Sequence, residues 1–168
     1  MSEMVDRIDA EGRVTGQVTR EEMRQNRLPH RCTWILVFST RGELFCHLRT
    51  DTKDVFPSHW DVCVGGVLTA GESFDEGAAR ELNEEIGIAV TPEPLFSFGY
   101  VDDRTIVTGY VYRVTHDGPF VLQPEEVVRG EFVAMDELEA RFLAERFCPD
   151  GLAVWRRWNE GRTDGTTT

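Results

Sequence analysis

Residues 66 to 88, GVLTAGESFDEGAARELNEEIGI, constrain this chain more than any other stretch, because they fix where one helix starts and where it stops. Ser73 followed by Glu76 forms a capping-box pattern, in which the serine side chain accepts from an early helical N–H and the glutamate reaches back to the cap. Gly87 supplies the left-handed residue that ends helices. The pattern predicts a helix over residues 74–86, with Ala78, Ala79, Leu82 and Ile86 along an apolar stripe. Glu81, Glu84 and Glu85 fall on the other side, where i, i+3 and i+4 spacing puts their carboxylates together.

Like charges at that spacing cost a helix roughly 0.2–0.5 kcal/mol per pair, so the cluster is mildly destabilising unless a cation sits beside it. Mg²⁺ takes oxygen ligands, keeps several waters and is commonly held by carboxylates together with substrate phosphates. A solvated acidic face is the competing reading of the triplet alone. The wider pattern separates the two. Written as G-x5-E-x7-R-E-U-x-E-E-x-G-U, with U aliphatic, the segment resembles the Nudix box at every fixed place: Gly66, Glu72, Arg80, Glu81, Leu82, Glu84, Glu85, Gly87 and Ile88.

That resemblance implies an α+β fold, a Nudix-type α/β/α sandwich around a mixed curved sheet with the box helix against one face. It implies a loop–helix–loop that binds Mg²⁺ or Mn²⁺ and hydrolyses a nucleoside diphosphate linked to another moiety, or a related small diphosphate. The implied metal ligands are Glu81, Glu84, Glu85 and the carbonyl of Gly65, which precedes the first box glycine. The ion would screen the phosphate charge and lower the pKa of a bound water. One glutamate of the cluster would accept the proton, or else Glu125 or Glu126, which lie where many Nudix enzymes place a further carboxylate. Glu72 and Arg80 are expected to form an ion pair that fixes the loop against the helix and orients the ligating acids.

Beyond the box, the chain resembles bacterial Nudix proteins of the YfcD type. The shared features are LPHR at 28–31, RTDTKD at 49–54, the W-x4-GG run ending at Gly66, and DGPF-x-LQ-x-EEV at 117–127. That group is in turn similar to type I isopentenyl-diphosphate isomerase, whose chemistry needs a cysteine just before the box glycine and a histidine just after it. This chain has Gly65 and Val67 there. Cys63 is displaced by two residues, roughly 6.6 Å along a strand, beyond the roughly 3 Å reach of proton transfer. His30, at the place of an isomerase metal-binding histidine, is therefore expected to hydrogen-bond locally. A regulator that binds diphosphates without catalysis is the other rival, and the intact acid cluster argues against it.

The chain has 168 residues, enough for one domain with a sizeable core. Its formal net charge of −12 argues against a nucleic-acid polymer or an anionic membrane as partner. An anionic small-molecule diphosphate must then be held by local cations as well as metal, and Arg49 and Lys53 leave a strand on the side leading to the box. Cys32, Cys46, Cys63 and Cys148 form no C-x-x-C pair and read as buried thiols in a reducing cytoplasm. Many relatives are dimers, so the resemblance leaves a homodimer open.

Taken in order, residues 1–30 read as a hairpin turning at Glu11–Gly12, followed by a short helix capped by Thr19, packed on the core. Residues 31–160 are expected to form the hydrolase domain that the resemblance implies. Strands are expected at 31–39, 44–49, 60–64, 95–100, 106–114 and 131–135. Asp136 with Glu139 predicts a capped helix through about Arg146, and Pro149 opens another with Leu152, Trp155 and Trp158 inward. GRTDGTTT, residues 161–168, carries no apolar anchor and reads as a disordered tail.

Overall fold

The computed structural model describes residues 2–163. Its centre is β3 (His30–Phe38), in which every residue but Arg31 is buried. A strand apolar on both faces must be covered on both. Cys32, Trp34, Leu36 and Phe38 join one core with Trp60, Leu138, Val154 and Trp155, while Ile35 and Val37 join another with Ala78, Leu82 and Ile86. The sheet therefore separates α2 (Phe74–Ile86) from α3 (Leu138–Ala144) and α4 (Pro149–Thr163), giving the α/β/α sandwich.

β7 (Ile106–Thr115) runs parallel to β3 along its whole length, and β6 (Glu93–Val101) is antiparallel to β7. The other edge of β3 is shared. β1 (Met4–Ile8), hairpinned with β2 (Val14–Thr19), meets it only at Arg7↔His30, and β4 (Leu44–Arg49) only at Phe38↔Leu44. β4 then leaves to pair with β5 (Trp60–Asp61) and β8 (Val127–Val133). Into the split between β1 and β4 passes the chain after β5, bridged to β3 at Ile35↔Val64 and Cys32↔Val67. Gly65 sits in this wedge at φ +144°, and a Cβ there would lie 2.2 Å from the Thr33 carbonyl oxygen. Only glycine passes so close to another backbone.

Local signals produced the elements they promised around the box. Ser73 Oγ accepts from the Glu76 N–H, Glu76 Oε2 accepts from the Ser73 N–H, and Gly87 closes α2 in the left-handed region at φ 70°. Thr19 caps α1 (Arg20–Gln25) by accepting from the Glu22 N–H. The N-terminal boundary shifts slightly, since His30 is already the first residue of β3.

Elsewhere the structure differs from expectation. The strand begun at Trp60 ends at Asp61, because the Asp61 carboxylate takes the Cys63 N–H at 3.0 Å and turns the chain. The last strand starts at Val127 rather than Glu131. α3 begins at Leu138 behind Glu137, with no side-chain cap, so Asp136 and Glu139 form no capping box. α4 continues through residues expected in the tail, with the Arg162 guanidinium 4.8 Å from the centre of the Trp158 ring. The rest of that tail, residues 164–168, lies outside the described residues. Among the described residues no helix is long and apolar enough to cross a membrane.

Candidate active site

α2, the Gly65–Gly66 wedge, the loop after β4 and the loop before β8 enclose an open cleft of about 350 Å³. Glu81, Glu84, Glu85, Glu126, Lys53 and both glycines line it. The acids of α2 do not share one solvated face as their spacing alone suggested: Glu81 and Glu85 are buried and Glu84 is exposed, while Ala79 is only half-buried. The reason is that α2 lies against a sheet already split by the glycine wedge. A Cβ on Gly66 would stand 2.7 Å from Glu81 Oε1, so this glycine leaves room for that carboxylate.

Each acid has a distinct setting. Glu81 Oε1 and Glu84 Oε2 both accept from Arg80 Nη1 at 2.9 Å. Glu85 Oε2 accepts from the Gly65 N–H at 3.4 Å. Burial, then the charge of Glu81, pushes the Glu85 carboxyl up to about 8, with Lys53 and Arg49 acting in the opposite sense. Burial also raises Glu81, opposed by Arg80. Burial works against ionised Glu72 as well, yet the Arg80 guanidinium and the Thr69 N–H together hold it below the usual carboxylate range.

Among the described residues no three His, Cys, Asp or Glu side chains converge closely enough to hold a metal ion in this arrangement. Arg80 stands between Glu81 and Glu84 and serves there as their cation. The donor chemistry nonetheless fits Mg²⁺ or Mn²⁺: carboxylates and the Gly65 carbonyl are hard oxygen donors. Glu81 and Glu85, buried with raised pKa values, are a like-charged pair that a divalent cation would relieve.

The two later glutamates part company. Gln123 N–H donates to the Glu85 carbonyl at 2.9 Å and Val121 N–H to the Ile86 carbonyl at 3.0 Å, which ties their loop to the end of α2. Glu126 thereby enters the cleft and pairs with Lys53. Glu125 does not: it is exposed outside the cleft, and its carbonyl accepts from Thr50 Oγ1 at 3.0 Å. Arg49 lies deeper, its Nη2 donating to the Val55 carbonyl at 2.9 Å and its Nη1 3.7 Å from Asp61 Oδ2.

Sequence reasoning missed Arg20 and Gln123, which also line the cleft, and Asp61 and Asp150, which line a second cavity behind Gly65. Nothing in the local sequence marks them, because they reach the site from separate elements. Burial, then the charge of Asp150, pushes Asp61 up to about 7, opposed by Arg49. His30 Nδ1 lies 2.9 Å from the Leu28 carbonyl, and burial pushes this ring down to about 4, so it is a neutral donor. The four cysteines are free and buried, and burial raises the Cys63 thiol well above its ordinary range.

A family model described as the NUDIX domain matches residues 28–150. The chain is 40% identical over 158 residues to an uncharacterized Nudix hydrolase of Streptomyces coelicolor, covering 92% of this chain and 87% of that protein. It is 37% identical over 162 residues to the uncharacterized Nudix hydrolase YfcD of Escherichia coli K12, covering 94% and 89%. Among solved structures, DR0079 from Deinococcus radiodurans superposes with a TM-score of 0.77 at 28% identity, covering 92% of this chain and 98% of that one. The NUDIX domain of Shewanella oneidensis NrtR, solved with ADP ribose, shares the fold with a TM-score of 0.64 at 16% identity, over 85% and 98%.

Proposed function

The chain belongs to the Nudix family and is a hydrolase of phosphorus anhydrides, and from that premise we propose that water attack in the α2 cleft cleaves the diphosphate bond of a nucleoside diphosphate derivative or related small diphosphate. One observation carries this reading: Glu81, Glu84, Glu85 and Glu126 line a single cleft that Lys53 and Arg20 also border. Glu81, Glu84, Glu85 and the Gly65 carbonyl would hold Mg²⁺ or Mn²⁺. A divalent cation there supplies charge neutralisation at the diphosphate oxygens and acidifies a water.

The chain's own residues do the rest. Lys53 and Arg49 offer N–H donors to phosphate oxygens. Glu126, or one glutamate of α2, takes a proton from the attacking water as the new O–P bond forms and the bridging P–O bond breaks, leaving two phosphorylated products. Arg80 and Glu72 position the acids by tying the turn before α2 to the helix. Isomerisation of isopentenyl diphosphate is not favoured, since Cys63 is a buried thiol of raised pKa and Val67 stands where a histidine is needed. The buried free thiols support a reducing, cytoplasmic setting.

The test is a panel of nucleotides, nucleotide sugars, dinucleoside polyphosphates and isoprenoid diphosphates, assayed with Mg²⁺ for released phosphate and phosphorylated products. Glu84→Gln and Glu85→Gln should keep the wild-type circular dichroism while activity on the accepted substrate falls by about 10²–10⁴-fold. Wild-type turnover in either variant would overturn the site assignment.

A further inference from the structure

The catalytic cleft and the second cavity behind Gly65 share four lining residues: Gly65, Gly66, Lys53 and Arg20. Two glycines and two cations therefore mark their junction, while Glu81, Glu84 and Glu85 border the cleft alone. Lys53 comes from the loop after β4. Arg20 comes from α1, within residues 1–27, which lie outside the span that the family model matches. This N-terminal unit is braced against the box. Met23 of α1 is buried with Val5 and Val67, and the Ala70 N–H donates to the Met4 carbonyl at 2.8 Å. Asp6 Oδ2 accepts from the Gly71 N–H at 2.9 Å and from Arg31 Nη2 at 2.5 Å. α1 is thereby fixed beside the chain that continues from Gly66.

The contacts of Arg20 within the fold do not use up its guanidinium. Nη1 lies 3.0 Å from Glu3 Oε2, with the two side chains 33% and 38% exposed, and a pair so exposed contributes little to stability. Nε is 3.7 Å from Asp54 Oδ2, beyond hydrogen-bond reach, and Asp54 is held instead by Arg24 Nε at 3.0 Å. Neither contact involves Nη2. Lys53 pairs with Glu126, which leaves two of its three N–H donors for other acceptors. The two cations also sense each other: burial, then the charge of Arg49, lowers the Lys53 ammonium, and Arg20 adds to this while Glu85 and Asp54 oppose it. Cations brought together from separate elements are relieved by an anion between them.

We propose that Arg20 is a substrate-binding residue: its guanidinium, with the Lys53 ammonium, binds the phosphoryl group of the diphosphate farther from the metal-holding acids, so that the N-terminal unit completes the catalytic site. The proposal rests on the diphosphate-hydrolase reading and adds to it a residue from outside the matched domain. Glu3, which also lines the cleft, is then a competing anion that Arg20 exchanges for phosphate.

Calorimetry with methylenediphosphonate, a diphosphate that water does not cleave, in excess Mg²⁺ reads this contact without turnover. Arg20→Gln should raise Kd by about tenfold or more while the thermal melt stays cooperative. Arg20→Lys, which keeps the charge and loses the planar fork, should fall between that variant and wild type. Glu3→Gln, which removes the competing carboxylate, should leave Kd unchanged or lower it, whereas a role confined to the Arg20–Glu3 pair would weaken both variants alike. Arg13→Gln, in the β1–β2 turn, loses the same charge at an exposed position and should match wild type. A Kd for folded Arg20→Gln within about threefold of wild type, or equal weakening by Glu3→Gln or Arg13→Gln, overturns the proposal. Should Arg20→Gln fail to fold, Glu3→Gln decides, weaker binding overturning the proposal and equal or tighter binding supporting it. If wild type does not bind methylenediphosphonate, the diphosphate reading fails and this proposal with it; binding by wild type that is indifferent to Arg20 overturns this proposal alone.

Discussion

Arg80 grips Glu72 through two parallel hydrogen bonds, Nε to Oε1 at 2.7 Å and Nη2 to Oε2 at 2.9 Å. Glu72 Oε2 also accepts from the Thr69 N–H at 2.9 Å, which closes the turn before α2. The remaining nitrogen, Nη1, goes to Glu81 and Glu84. A single guanidinium thus joins turn to helix and neutralises two of the acids proposed to hold metal.

Because a lysine ammonium cannot reproduce that planar fork, Arg80→Lys should lower stability by about 1–3 kcal/mol, read as a fall in the urea midpoint at unchanged slope. A midpoint within error of wild type would show that the fork contributes nothing.

Divalent metal should stabilise the fold by occupying a site the unfolded chain lacks. Mg²⁺ or Mn²⁺ at a hundredfold excess over Kd is expected to add about 2.7 kcal/mol, visible as a rise in Tm. Glu85→Gln, which removes one of the carboxylates proposed to hold the ion, should abolish most of that rise. A shift of equal size in the variant would place the metal elsewhere.

The paired glycines should respond differently to alanine. At Gly65 a Cβ meets the Thr33 backbone at 2.2 Å and the φ is +144°, so Gly65→Ala should destabilise by about 2–4 kcal/mol. At Gly66 it meets only the movable end of Glu81, so Gly66→Ala should stay folded yet lose turnover by displacing that carboxylate. Denaturation and activity measured side by side would reverse this assignment if Gly65→Ala were the milder change.

Two buried imidazoles weaken the fold in acid, against buried Glu85 and Asp61, whose raised pKa values act in the opposite sense. Burial pushes His30 down to about 4 and His47, with Arg49 and Lys53 adding to the effect, down to about 3. The folded rings are neutral, so the unfolded chain binds more protons below its own pKa of about 6.5. Their share of the stability should therefore fall as pH drops from about 6.5 towards 4, by up to about 1.4 kcal/mol per pH unit for each histidine, while Glu85 and Asp61 bind protons in the fold over the same range and offset it. His47 Nδ1 has no hydrogen-bond partner, so His47→Leu should fold and, in equilibrium unfolding, gain stability relative to wild type as pH falls from 7 to 4. A difference from wild type that does not change with pH would show that His47 does not contribute.

Much of the fold was legible because its signals are short-range. The bounds of α2 follow from Ser73, Glu76 and Gly87, and α1 follows from Thr19 and Glu22, since caps act within one turn. The apolar run after Pro29 gave a strand covered on both faces. The same local reading failed at Asp136 with Glu139, where the spacing of a capping box is present and its hydrogen bonds are not. It failed at residues 161–163 too, where packing of Arg162 on Trp158 accompanies the continuation of α4 without any apolar residue.

By itself the sequence determined the box helix, the places of Glu81, Glu84 and Glu85 along it and the family to which these belong. It could do so because a helix repeats every 3.6 residues and its caps reach only three or four positions. Tertiary structure alone decided that Glu81 and Glu85 are buried while Glu84 is not, that Glu126 enters the cleft and Glu125 stays out, and that Asp61 and Asp150 share a cavity. Each of those outcomes depends on which distant segment packs against a side chain. That is set by sheet pairing and loop paths across the whole chain, and no periodicity in the local sequence encodes it.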